Sequence, residues 1–74
     1  MKIKVNGELE NINSTEKEPN LSFVIKELAL NPKLIVVEFN GTIVNSNEWE
    51  NLKVHDGDIL EIVTIVGGGS SRSS

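Results

Sequence analysis

Polar and apolar positions alternate from the start of the chain. Residues 2–6 read Lys-Ile-Lys-Val-Asn, which puts Ile3 and Val5 on one face of a half-buried strand. Asn6-Gly7 is a two-residue hairpin signal, because both central positions of a type I′ turn need positive φ. Residues 8–13 are expected to return as a second strand with Leu9 and Ile12 as its apolar contacts. That strand is otherwise polar, so it belongs at a sheet edge. Residues 14–20 lack periodic apolar content and read as a loop. Asn20 is placed to cap a helix. Leu21, Val24, Ile25 and Leu28 then fall at i, i+3, i+4 and i+7, one apolar stripe of a helix. Asn31-Pro32 ends it, since proline disfavours the α region in the residue before it.

The second half changes period. Residues 34–39, Leu-Ile-Val-Val-Glu-Phe, form a β-branched apolar run expected as an inner strand. Asn40-Gly41 is a second turn and residues 42–44 a short strand. Residues 45–53 are polar apart from Trp49 and Leu52 and predict a loop with one turn of helix. Residues 54–58 read as a tight turn into a last strand, 59–66, which is apolar on both faces and therefore placed centrally. The first and last strands are the natural parallel pair, because the long crossover between them can be right-handed. This order predicts an α+β chain with a mixed sheet of four to five strands and one main helix on one face. That is the β-grasp, or ubiquitin-like, arrangement, expected over residues 1–66 with a flexible glycine-rich tail at 67–74.

Composition narrows the chemistry. The chain has 74 residues and no cysteine, which excludes a disulfide framework, a thiolate nucleophile and cysteine-ligated metal. A domain this small has little room for an enclosed active site. Its net charge is -4 with only seven cations, so it lacks the basic footprint of a nucleic-acid binder. The apolar runs are too short to span a bilayer, and the N-terminus lacks the continuous apolar stretch of a signal peptide. The expectation is a soluble cytoplasmic protein, or one of the plastid stroma if organelle-encoded.

The candidate catalytic residues read as structural. His55 is the one imidazole and sits in a polar turn, where a solvated role outweighs that of a base or ligand. Asp56 and Asp58 flank Gly57 but lack the longer acidic pattern and distal glutamate of an EF-hand, so they read as a turn that bonds its own backbone. Trp49 is expected to plug the edge of the core. No metal site and no catalytic residue is expected. The glycines at 67–69 are the one feature the fold does not need. A plain flexible linker is one reading of them.

The ordered set resembles the ThiS family of thiamine-biosynthesis sulfur carriers. The stretches that carry the resemblance are Lys4-Val5-Asn6-Gly7, Val36-Val37-Glu38-Phe39-Asn40-Gly41, Ile43-Val44, Trp49, Asp56-Gly57-Asp58, Glu61-Ile62-Val63 and Val66-Gly67-Gly68-Gly69. It spans residues 1–69. The related molybdopterin-synthase small subunits usually have prolines before the last glycines, where this chain has Thr64-Ile65-Val66.

The resemblance implies a carrier that is not an enzyme, and a small acidic chain of this kind is expected to be monomeric when free. Gly69 would be the group adenylated and converted to a thiocarboxylate, and Gly67 and Gly68 would thread it into partner active sites. The implied partners are a ubiquitin-activating-like adenylyltransferase of the ThiF type, which uses ATP, and a thiazole synthase of the ThiG type. The chain itself would bind no cofactor. The docking surface is expected on the sheet face away from the helix, together with the last strand. The alternatives are a molybdopterin-synthase-type sulfur carrier, a protein modifier joined to lysines, or a β-grasp interaction module without carrier chemistry. One departure stands out: Ser70–Ser74 follow Gly69, so Gly69 must be exposed by trimming, or the extension is not native, or carrier activity is lost.

Overall fold

The computed structural model describes residues 1–15 and 17–65. Five strands form one sheet in the order β2-β1-β5-β3-β4. They are β1 (Lys2–Val5), β2 (Glu8–Asn11), β3 (Ile35–Phe39), β4 (Thr42–Val44) and β5 (Ile59–Thr64). Helix α1 (Leu21–Glu27) and two 3-10 segments, Pro32–Leu34 and Ser46–Asn51, complete the described elements. β1 and β5 run parallel, and the other neighbours are antiparallel. The expected β-grasp arrangement is therefore the fold, with β2 at an edge and β5 in the middle.

Register decides what is buried. Ile3 pairs with Glu10 and Lys4 with Leu9, so Ile3 faces the helix and Leu9 faces away. Ile3 is buried, while Leu9 is 69% exposed. Leu9 was expected as a core contact and is not one, because one step of register puts it on the other face. Ile12, just past β2, is buried as expected. The core unites Ile3, Val37, Leu60 and Ile62 from the sheet with Leu21, Val24 and Ile25 from α1 and with Trp49 and Val54. Trp49 is 3% exposed, and its indole N–H donates to the Val44 carbonyl at 3.2 Å. It fills the core edge and finds a partner for its one polar group.

The helix differs from expectation in length and ending. Asn20 caps it, its Oδ1 accepting from the Phe23 N–H at 2.8 Å. The helix stops at Glu27, well before Pro32. Ala29 sits at φ 60, its N–H donates to the Lys26 carbonyl, and the Leu30 N–H donates to the Ile25 carbonyl. This is a Schellman ending with alanine where glycine is usual. The left-handed residue reverses the chain before proline could act. Leu28, the last residue of the expected stripe, is only partly buried. The 45–53 segment also departs from expectation. It holds six residues of 3-10 helix rather than one turn, started by the Asn45 N–H donating to the Glu48 carboxylate at 3.1 Å.

β5 ends at Thr64, two residues short of the expected 66. Only Leu60 and Ile62 are buried along it, whereas Ile59 and Val63 are exposed. Its apolar content on both faces marks a central strand, as expected, but the described residues cover only one face. Opposite each other on β3 and β5 stand Glu38 and Glu61.

Two substitutions test these local arguments. Ala29→Gly removes a Cβ from a left-handed residue and should raise stability by about 0.5–1 kcal/mol in urea unfolding; a loss would show that the ending is not strained. Glu61→Gln relieves a like-charge cross-strand pair and should stabilise by roughly 0.2–1 kcal/mol. That gain should fade as salt rises, and a salt-independent effect in thermal unfolding would point to another cause.

Candidate functional site

Pleating sends alternate residues of each strand to opposite faces. The helix covers the face of Ile3, Val37 and Ile62. The other face carries Val36 opposite Val63 and Ile43 opposite Glu38. Leu34 and Ile65 continue the row, joined by an Ile65 N–H to Leu34 carbonyl bond. Ile43 and Val63 are each 64% exposed, and Leu34, Val36, Ile59 and Ile65 are exposed as well. Aliphatic side chains grouped in this way make the face a candidate contact site. Glu38 and Glu61 sit within it, and Lys4 stands beside Ile59. This is the face on which partners were expected to dock. The signal that could have named its residues lay in residues 34–39 and 59–65, which are apolar beyond the needs of a sheet covered on one face.

The same strand leads to the tail. On the β1 side, the Asn6 N–H donates to the Leu60 carbonyl at 2.9 Å. The Asn6 side chain then takes both backbone groups of Ile62: its Oδ1 accepts from the N–H at 2.7 Å, and its Nδ2 donates to the carbonyl at 3.1 Å. Sequence reading assigned Asn6 to the turn alone and missed this role. Gly67, Gly68 and Gly69, the expected reactive tail, lie outside the described residues, as does the domain boundary expected at 66.

The other candidates serve the loop and turn that precede β5. The Asp56 carboxylate accepts from the Lys2 N–H. Asp58 accepts from the His55 N–H and from the Asn40 side chain. Asn40 in turn accepts from the Ile59 N–H. Asp58 bonds the backbone of its own turn, as the sequence implied, whereas Asp56 ties that turn to the start of β1. His55 Nε2 lies 3.0 Å from a Glu18 carboxylate oxygen, with both side chains more than half exposed; such a surface pair stabilises little. Among the described residues no group of three or more His, Asp or Glu is placed to hold a metal. A surface depression of about 220 Å³ beside Phe23 is lined by Ser14, Thr15, Pro19 and Asn20, none of them titratable. No helix among the described residues is long and apolar enough to cross a membrane.

Known proteins share this arrangement. A model of the ThiS family matches residues 3–69. The crystal structure of thiamine biosynthesis protein ThiS from Geobacter metallireducens superposes with a TM-score of 0.78 at 26% identity, covering 93% of this chain and 100% of that one. An uncharacterized protein ycf40 from Porphyra purpurea is 37% identical over 68 residues, 90% of each chain. A thiazole synthase from Paramagnetospirillum magneticum is 34% identical over 73 residues, which are 99% of this chain but 22% of that protein. With a match over nearly its whole length, body and terminal glycines together, the chain belongs to the ThiS family.

Proposed function

We propose that this chain is the sulfur carrier for thiazole formation in thiamine biosynthesis, a protein co-substrate whose reacting group is the Gly69 carboxylate. The observation that carries this reading is the extent of the family match, which takes in the folded body and all three glycines and stops at Gly69. The thiazole synthase relative and the thiamine-biosynthesis structural neighbours support the thiamine branch over the molybdopterin one.

In this reading the chain binds no cofactor. A ThiF-type adenylyltransferase supplies ATP: a Gly69 carboxylate oxygen attacks the α-phosphorus, and pyrophosphate leaves. The acyl adenylate is a far better electrophile than a carboxylate. A donor at the sulfide oxidation level then attacks the acyl carbon, and AMP leaves with the electrons of the C–O bond. The product is a thiocarboxylate, which passes sulfur to a ThiG-type thiazole synthase. A relative that carries a homologous stretch within a thiazole synthase supports that partnership.

The chain's contribution is delivery. An extended run from Ile65 to Gly69 reaches at most about 14 Å, and Gly67 and Gly68 let the backbone pass close to enzyme walls. The open aliphatic face holds the body against each partner. A second copy laid on that face would bring four carboxylates together through Glu38 and Glu61, which favours a free monomer. A cytoplasmic location, or the plastid stroma for an organelle-encoded gene, belongs to the same proposal. While Ser70–Ser74 follow Gly69, its carbonyl is a peptide carbonyl, so the carrier acts only once Gly69 is exposed.

The test compares the 74-residue chain with one ending at Gly69, each incubated with the organism's adenylyltransferase, ATP and a sulfur donor. Intact-mass spectrometry should show one oxygen replaced by sulfur in the shorter chain alone. An unchanged mass in the shorter chain would sink the assignment.

A further inference from the structure

Glu38 and Glu61 stand directly across from each other on β3 and β5. Residues so placed have Cβ atoms about 4.5–5.5 Å apart, and like charges there destabilise a sheet. Both belong to the open face, Glu38 half-buried and Glu61 exposed. Among the described residues no cation pairs with either of them: the one ion pair joins His55 to Glu18. The face's own cations, Lys2 and Lys4, stand on β1, with Lys4 opposite Ile59 rather than Glu61. Neutral side chains at 38 and 61 would serve the free fold better.

The surroundings of the pair give it a second meaning. Ile43 stands across from Glu38 on β4, and Val36 precedes Glu38 on the same face of β3. Ile59 and Val63 flank Glu61 along β5. All four aliphatic side chains are exposed. A protein seated on this frame would strip water from both carboxylates. Burying a carboxylate without a counter-charge is strongly unfavourable. A cation on the partner, placed between the two, reverses the sign: it pairs with both and cancels their mutual repulsion. A guanidinium suits the position best, because it is weakly hydrated and its planar fork offers donors to two carboxylates.

We propose that Glu38 and Glu61 are the partner-selecting residues of the open face, and that thiazole synthase meets them with a basic side chain, an arginine by its geometry, set in an apolar surface. The inference rests on the carrier reading above and deepens it by naming the chemistry of the partner's contact. An apolar surface without the cation is rejected by the desolvation of two carboxylates. A second copy of this chain is rejected by repulsion, because it brings two more glutamates to the same place. The free chain gives up some stability to keep that selectivity.

The experiment compares the parent chain with Glu38→Gln/Glu61→Gln, each ending at Gly69. Calorimetry measures binding to the organism's thiazole synthase, urea unfolding measures stability, and sedimentation measures the state of the free chain. Glutamine keeps the size of each side chain and removes the repulsion, so the variant should be a monomer that unfolds at higher urea than the parent. Its Kd should nonetheless rise by about thirtyfold, the lower end of the loss seen when one side of a buried interfacial charge pair is removed. Opposite movement of stability and affinity is a result that misfolding cannot produce. Equal or tighter binding by the variant overturns the proposal, since neutralisation would then only have relieved desolvation. A variant that dimerises overturns it as well, by assigning the pair to keeping copies apart. No binding by the parent chain would overturn the partnership with thiazole synthase, and this proposal with it.

Discussion

One helix of seven residues is all that α1 provides to cover a five-stranded sheet. The rest of the molecule depends on that shortage. Ile3, Val37, Leu60 and Ile62 pack against Leu21, Val24 and Ile25 on one face, with Trp49 and Val54 sealing the edges. Among the described residues nothing covers the other face. That face nevertheless carries Val36, Ile43, Ile59 and Val63, all exposed to water. A small domain that needed only to fold would gain nothing from leaving aliphatic side chains there. Exposed aliphatic side chains grouped on one face make it the candidate contact surface of the proposed carrier.

The same economy explains how a chain with one histidine and no cysteine can belong to a family tied to thiamine biosynthesis. The body supplies a handle, and the chemistry is proposed for the backbone end. β5 joins the two roles. It is the central strand, paired on both sides, it lends Ile59, Glu61 and Val63 to the open face, and it leads directly toward the glycines. Asn6 bonds it on one flank and Leu34 on the other.

Much of this was legible in the residues. Alternation in 2–6, the two Asn-Gly turns, the Leu21–Leu28 stripe, the 34–39 run and the 59–66 run located the five described strands and the helix, because each signal is local. Asn6, Asn40 and Gly57 show the positive φ that their turns demand. Errors arose where the deciding partner is distant. Leu9 reads as a core residue until the register with Lys4 is known. The early end of α1 depends on Ala29 adopting a conformation that alanine rarely takes. For the site, the face was legible but not its members, since pairing Glu38 with Glu61 requires the β3–β5 register. The role of Asn6 was hidden for the same reason, because a hydrogen bond to Ile62 leaves no trace in the spacing of either residue.

The central claim is that the folded body meets its partner through the uncovered sheet face. Amide chemical-shift mapping of the labelled protein, titrated with the organism's thiazole synthase, addresses it directly. The account predicts that shifts concentrate at Leu34, Val36, Ile43, Glu61, Val63 and Ile65, with α1 unmoved. Perturbation confined to the outer side of the helix, at Ser22 and Lys26, with the sheet face unchanged, would contradict it.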